Sequence, residues 1–406
     1  MRQGRRTVLV AGGGITGLTL ALCLAQEGWR VDVFEQAASF EGVGAGLQIS
    51  PNAYRILDRV GVTAHLKALA TRPGAIRIMA GRTGRQIAQV PLGEAANERY
   101  GAPYLVAHRA DLQQALATAV GNHPDITLYM GHRLEDFAEY EGGVTALVYS
   151  KGRMKECIGA LVVAADGVWS DLRNRHLGLA KAKFSNYIAW RGLIPTDRIS
   201  TPTDMDNVQL WLAPNAHVVT YPVRGGRYLN LVAITSFDKT SGPEPTRGWA
   251  HDGEAGQLRA ALAGWHDDLL RLLDYRGKWT QWPLFAAPRS GNWTGGSFAL
   301  AGDAAHAMLP FAAQGAAMGI EDAAILAACL RIADSGNDSI AGALKRYERL
   351  RKPRVARARR LAMINSAIYH LPQPFAFARN LAMRALGGER LLARQDWLYN
   401  WRAPAD

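Results

Sequence analysis

Cysteine is scarce: the 406 residues contain three, Cys23, Cys157 and Cys329. None forms a C-x-x-C pair, and no His/Cys cluster has zinc spacing, so a disulfide scaffold and a metal centre are both set aside. The thiols fit reduced core residues of a cytoplasmic protein. No repeat of about 20 to 50 residues and no low-complexity tract occurs, which excludes solenoids and long linkers. One uncharged apolar run, Thr7 to Ala25, resembles a signal peptide or a membrane span. Gly12, Gly13, Gly14 and Gly17 interrupt it, where glycine costs helix stability. A strand, a tight turn and a helix fit better, so no membrane span is expected. Acids are outnumbered, giving a net charge of +12, and the excess is concentrated. Lys345 to Arg360 carries nine basic residues against one acid, Glu348. No platform of interleaved aromatics accompanies them, as nucleic-acid stacking requires. The segment reads as the solvated face of a late helix, and no nucleic-acid partner is expected. A positive field would also attract anionic substrates and nicotinamide cofactors.

What is present begins at the N-terminus. Thr7–Ala11 is a continuous apolar run rich in β-branched residues, suited to a strand buried on both faces of a parallel sheet. Gly12-x-Gly14-x-x-Gly17 follows at once, then a helix from Leu18 to Gln26, then a second strand, Val31–Phe34, ending at Glu35. Gly12 permits the tight turn, Gly14 lets the backbone approach a pyrophosphate, and Gly17 lets helix and strand pack closely. The free amides and dipole of the helix start hold phosphates. A carboxylate at Glu35 accepts hydrogen bonds from ribose hydroxyls, which favours an unphosphorylated adenosine ribose. This motif alone does not choose between FAD and NAD. The alternative is a glycine-rich structural turn, which leaves the acid unexplained.

Two further short strands end in an Asp at a turn. Leu161–Ala165 leads into Asp166-Gly167-Val-Trp-Ser170-Asp-Leu-Arg173, and Ser297–Ala301 leads into Gly302-Asp303-Ala304. Asp166 alone could be a helix cap. Jointly, the segments resemble the class A flavoprotein monooxygenases, the para-hydroxybenzoate hydroxylase group. Asp166, Gly167, Ser170 and Arg173 match the family's D-G-x-x-S-x-x-R segment, which helps to handle FAD and NAD(P)H. Gly302, Asp303 and Ala304 match the segment that places an Asp on the ribityl chain. His108-Arg109-Ala-Asp111-Leu112 resembles the segment whose arginine contacts the flavin side of the cofactor, although Arg109 and Asp111 could equally be a surface pair. The resemblance runs from about residue 7 to 355. It implies that Gly12, Gly14, Thr16, Gly17, Glu35, Gln36, Gln48, Arg109, Leu134, Asp166, Asp303, Pro310, Gly315 and Ala316 hold FAD. Gln36 departs from the Arg or Lys that many relatives carry there. A helix starting near Gly315 would aim free amides at the flavin pyrimidine edge, where the dipole stabilises the reduced anion.

Between these motifs the texture changes. Tyr187–Ile194, Asn207–Leu212, His217–Tyr221 and Tyr228–Ala233 are β-rich and aromatic, with a hairpin turn at Arg224–Arg227. The expected fold class is α/β. A discontinuous Rossmann-like FAD-binding domain (1–72, 104–180, 286–360) carries an inserted antiparallel β-sheet substrate domain (73–103, 181–285) and a C-terminal helical segment (361–406). Gly387–Trp401 reads as a docking helix or a dimer contact, and the oligomer as monomer or homodimer. Spacing of four puts His217 and Tyr221 on one side of a strand. There they could bind or deprotonate a phenol, with the near-neutral histidine pKa suiting a base; the alternative is a histidine bonded within the sheet. The same pattern occurs in the salicylate and 3-hydroxybenzoate hydroxylase branch. Arg191, His217, Tyr221, Pro310 and Phe311 are the expected substrate contacts, Phe311 and Met308 being equally explicable as core. His306 reads as structural, and His65, His123, His132 and His176 as surface residues.

The resemblance implies a cycle in which NADH or NADPH, bound transiently, reduces FAD. Oxygen then adds at flavin C4a, and the hydroperoxide transfers an oxygen atom to a hydroxylated aromatic or N-heteroaromatic carboxylate. Only one G-x-G-x-x-G occurs, so no separate nicotinamide-binding fold is expected. The alternatives are another FAD oxidoreductase of this fold (an oxidase or a halogenase, the latter weakened by the missing lysine signature) and a non-catalytic flavin sensor or interaction protein.

Overall fold

The computed structural model describes residues 6–40, 46–237, 244–245, 251–288, 290–333 and 339–404. Thr7–Ala11 lies inside a six-stranded sheet. The strand order is Thr294–Gly295, Phe298–Leu300, Leu161–Ala164, Thr7–Ala11, Arg30–Glu35, Ile126–Met130. All pairings are parallel except that of the outermost Thr294–Gly295. Val8, Leu9, Val10 and all of Leu161–Ala164 are fully buried, as strands covered on both faces must be. The helix after the glycine turn is Ile15–Gln26. It starts three residues earlier than the Leu18 expected from the glycines, because Gly14 with extended backbone (φ −74°, ψ −179°) already serves as its N-cap.

The aromatic segments form an eight-stranded sheet. Its order is His251–Gly253, Trp279–Ala286, Lys183–Pro195, Tyr228–Ser236, Ala216–Val223, Val208–Ala213, Ala75–Ala80, Gln86–Pro91. Neighbours are antiparallel apart from Val208–Ala213 against Ala75–Ala80. The Arg224–Arg227 hairpin turn runs through three residues with positive φ, Arg224, Gly225 and Gly226. A three-stranded antiparallel sheet (Arg133–Tyr140, Gly143–Ser150, Arg153–Gly159) and a short pair (Gly46–Ile49, Leu105–His108) complete the β structure among the described residues.

Helix Gly315–Ile332 packs on Ile15–Gln26 at Thr16. A Cβ on Gly319 would sit 2.1 Å from Thr16 Oγ1, and one on Gly302 2.4 Å, so glycine is required at both. Behind it lies the 30-residue helix Ile340–Tyr369. Here the reading of Lys345–Arg360 as a solvated face holds for Lys345, Arg349, Arg357 and Arg360, which are exposed, and is corrected at Arg351 and Arg354. Arg351 is 1% exposed, and its guanidinium bonds Glu321 and Asp322 at 2.7 Å each. Arg354 bonds both oxygens of Glu321. The physical reason is pairing across the two helices: the acids that match these arginines sit on Gly315–Ile332, far away in sequence. Gly387–Trp401 also finds its partner within the chain. Trp397 covers Arg357 (4.1 Å from ring centroid), Trp401 covers Arg354 (4.8 Å), and Leu398 is fully buried. No helix among the described residues is long and apolar enough to cross a membrane.

Candidate active site

Gly12, Glu35, Asp166 and Asp303 all stand at or just beyond the carboxyl ends of neighbouring parallel strands. The first strand is central and feeds neighbours on both sides, so this edge is the switch point at which open α/β sheets bind ligands. The three motif glycines differ in what confines them. Gly12 has φ +105°, and a Cβ there would lie 2.5 Å from the carbonyl oxygen of Ala165. A Cβ on Gly17 would lie 2.0 Å from that of Gly12. Gly14 faces open space within 4 Å, and no side chain caps its helix, which leaves the first amides free for a phosphate. Glu35 accepts from the Gly13 amide at 2.7 Å and the Ala37 amide at 2.8 Å, so it is locked against the turn. Gln36 is exposed. Gln113, which sequence reasoning missed, donates to Gly13 O at 3.0 Å.

Asp166 follows the buried strand Leu161–Ala164 with one carboxylate oxygen unpartnered. Burial pushes it up to about 6, Ser170 and Arg173 opposing. A carboxyl raised in the fold stabilises it fully below the ordinary value near 3.8 and loses that contribution as pH rises through about 6. The Asp166→Asn apoprotein should therefore gain about 2 kcal/mol at pH 8 and a fraction of that at pH 4.5, measured by urea unfolding. Ser170 caps Asp171–Leu177, accepting from Arg173 N at 3.1 Å. The buried Arg173 guanidinium reaches Ala304 O at 3.1 Å, joining the two Asp-bearing segments. Asp303 itself is exposed, and its carboxylate has no protein partner among the described residues. Beneath it, Asp322 holds the Gly302 amide at 2.9 Å and His306 Nε2 at 2.5 Å.

The turn Pro310–Ala312 leads through Ala313 (φ +51°) to Gln314, which caps Gly315–Ile332 without a side-chain bond to its amides. Gly315 faces open space, Ala316 is half-buried, and Pro310 is exposed. Gln314 donates to Ser50 Oγ at 3.1 Å, and the Tyr104 hydroxyl bonds Gln48 Oε1. Leu134 is buried in the core, on the strand Arg133–Tyr140. Arg109 opens the helix Arg109–Gly121, and Asp111 pairs with Arg224 at 3.1 Å rather than with Arg109. These features fit FAD: a cradle at Gly14 and Gly315 that side chains would fill, free amides at two helix starts, and an orphaned buried carboxylate oxygen.

On the eight-stranded sheet, the Arg191 guanidinium stacks 4.7 Å from the Trp282 ring centroid, and its Nε is buried without a partner. Burial and then the charge of Arg109 push it down to about 10, with Tyr221 opposing. Tyr221 is buried, which pushes its phenol up. Its ring leaves no room for a side chain at Gly46, whose amide donates to Asn230 Oδ1 at 2.7 Å. His217 is 2% exposed and lies among Phe311 (5.4 Å), Tyr369 (5.4 Å) and His370 (5.1 Å, ring centroids). The structure thus brings His217 to Phe311 beside Pro310, and Arg191 to Tyr221 and Arg109. The near-neutral pKa expected of His217 does not hold: burial, then His370, pushes it to about 3. His370 and Tyr187, which lie 5.6 Å apart and both against Phe311 (5.7 and 5.2 Å, ring centroids), were missed, since no spacing rule links residue 370 to residue 217. Of the histidines read as surface residues only His65 is exposed; His123, His132 and His176 are half-buried. Met308 lines a cavity of about 460 Å³ with Lys183 and Arg359, whose wall includes Leu309 and Ala362.

Residues 5–362 match the family described as FAD binding domain. A 3-amino-4-hydroxybenzoate 2-monooxygenase of Streptomyces platensis is 36% identical, over 99% of this chain and 97% of its own. A 6-hydroxynicotinate 3-monooxygenase of Pseudomonas fluorescens is 34% identical, over 90% and 92%. A 3-hydroxybenzoate 6-hydroxylase of Polaromonas naphthalenivorans is 30% identical, over 97% and 96%. Among solved structures, a salicylate hydroxylase substrate complex superposes with a TM-score of 0.81 at 24% identity over 99% of each chain, which speaks to the fold. Klebsiella pneumoniae HpxO, complexed with FAD and uric acid, superposes with a TM-score of 0.82 at 25% identity over 97% of this chain and 96% of that one. By the match over most of its length and by its relatives, the chain belongs to the FAD binding domain family, and FAD is its cofactor.

Proposed function

We propose that this chain is an FAD-dependent monooxygenase that uses NADH or NADPH and O2 to hydroxylate an aromatic ring bearing both a carboxylate and a hydroxyl group. The relatives named above are designated for 3-amino-4-hydroxybenzoate, 6-hydroxynicotinate and 3-hydroxybenzoate, each an aromatic acid with a ring hydroxyl. The observation that carries the reading is the pairing of two chemistries on the eight-stranded sheet. Arg191 offers a buried, unpaired guanidinium Nε, and His217 and Tyr221 stand on one strand beside the Pro310–Phe311 turn. An isolated buried cation is costly unless an anion joins it, so the site favours a carboxylate ligand. Bound FAD would supply the electrons and the oxygen activation. The chain's own part is to anchor the carboxylate at Arg191, hold the ring against Phe311 and Tyr221, exclude water with those aromatics, and accept the ring hydroxyl proton at His217. The scarcity of cysteine, three residues with no C-x-x-C pair, agrees with a cytoplasmic setting.

The test supplies the purified protein with FAD and either nicotinamide, and follows oxygen uptake over a panel of hydroxybenzoates and hydroxynicotinates. Stimulated uptake with a product heavier by one oxygen supports the reading; FAD bound with no stimulation by any compound favours a sensor. Arg191→Met should raise KM for a carboxylate substrate about 30- to 100-fold, the worth of a charge-assisted buried pair, while barely changing that for the corresponding aldehyde. Equal loss with both substrates would remove the anchor role.

A further inference from the structure

His217 presents a physical difficulty as a base. It is 2% exposed and surrounded by Phe311, Tyr369 and His370, with no carboxylate to stabilise a cation. Its Nδ1 lies 2.9 Å from His370 Nε2. Its other nitrogen, Nε2, has no protein partner among the described residues. His370 differs in three ways. It is only half-buried. It is the C-cap of the 30-residue helix Ile340–Tyr369, where the helix dipole favours a cation. Burial, then Arg379, pushes it to about 4, less far than His217 at about 3. The groups that face the pair are Phe311, Tyr369, Tyr187 and Arg379; Arg379 donates to Ile368 O and Tyr369 O and works against a cation.

Resting on the hydroxylase reading, we infer that His217 and His370 form a two-histidine relay that takes the substrate's hydroxyl proton and places the resulting charge on His370, at the helix end, rather than on buried His217. In the resting pair His217 Nδ1–H donates to His370 Nε2, which leaves the His217 Nε2 lone pair facing the ring hydroxyl. As the hydroxyl O–H bond breaks, its proton binds His217 Nε2. The Nδ1 proton passes to His370 Nε2 in the same step. His217 ends neutral in the other tautomer, and His370 becomes imidazolium. One proton enters the pair, the charge moves by one residue, and no oxidant or reductant is consumed. Because His370 Nδ1 is enclosed and has no protein partner among the described residues, the proton leaves by the route it entered. After oxygen transfer His370 Nε2–H returns it to His217 Nδ1 as His217 Nε2–H reprotonates the product's ring oxygen, and the tautomers reset. His370 touches no substrate and acts through His217 as a positioning residue.

The test compares His370→Gln with the parent as FAD-loaded enzymes. Glutamine can keep a hydrogen bond to His217 Nδ1 but cannot accept a proton. Hydroxylation kcat should fall about 10- to 100-fold, within the contribution typical of positioned proton transfer, with KM and FAD affinity little changed. The ionisation of a bound hydroxynitrobenzoate, read from its phenolate absorbance against pH, should move up by at least about one unit. Added imidazole should partly restore the rate of His370→Ala. Unchanged kcat and unchanged phenolate titration in a folded, FAD-binding His370→Gln protein would overturn the relay. A loss of kcat unaccompanied by a titration shift, or His370→Ala unresponsive to imidazole, would equally reject it in favour of a packing role. The underlying reading is judged separately: if the parent enzyme hydroxylates nothing in the panel, that reading fails before His370 is tested.

Discussion

A Gly14→Val protein is expected to unfold within about 1 kcal/mol of its parent as apoprotein, the scale of an N-cap change, yet to lose FAD affinity by more than about 100-fold. The geometry separates these outcomes. Gly14 has a φ of −74° that any residue adopts, and a Cβ there meets nothing within 4 Å, so the fold itself does not require glycine. The space it would fill is the space in front of the free helix amides, which a pyrophosphate needs. Gly17→Val should fail in the opposite order. Its Cβ would press to 2.0 Å from the Gly12 carbonyl oxygen, so stability falls first, by more than about 2 kcal/mol, and cofactor binding only as a consequence. Urea unfolding of both apoproteins beside FAD fluorescence titration gives the comparison. If Gly14→Val binds FAD like the parent, the pyrophosphate does not lie at this turn.

That contrast also shows what was legible beforehand. The dinucleotide turn, the Asp at the end of each later strand and the β-rich insert are local: each needs a fixed residue type at a fixed spacing, and chain and structure agree on them. Asp166 and Asp303 fall where strands end because the parallel sheet presents its carboxyl edge to the ligand. The rest depends on contacts that no spacing rule reaches. His370 lies 153 positions from His217 and meets it only because a long helix ends beside the sheet. Likewise, the partner of Arg191 is the ring of Trp282, supplied by the neighbouring antiparallel strand Trp279–Ala286. The basic run misled for the same reason. Counting charges along Lys345–Arg360 shows the cations but not the acids on another helix. Burial then inverted the ordinary reading of individual groups, as in His217, whose near-neutral pKa holds only in water.

Arg351→Met should produce the largest loss of stability, about 3–5 kcal/mol at pH 7, the cost of removing one partner from a buried ion network. Arg351 bonds Asp322 through Nε and Glu321 through Nη1, both at 2.7 Å, and all three side chains are at most 1% exposed. Glu321 would keep Arg354, but Asp322 would keep only His306 and the Gly302 amide. Burial pushes Asp322 up, and at present His306 and Arg351 more than offset it, holding the carboxyl below its ordinary value. A depressed carboxyl stabilises the fold above its unfolded pKa and loses that contribution as pH falls. Without Arg351 the offset shrinks and protonation relieves the stranded charge, so the penalty should be smaller at pH 4.5 than at pH 7. Asp322→Asn added to Arg351→Met should recover part of the loss, since the double variant no longer buries an underpaired carboxylate. FAD affinity should fall as well, because Asp322 fixes the amide of Gly302, the residue before Asp303. A single variant as stable as the parent, or a penalty independent of pH, would mean that packing rather than charge holds the two helices together.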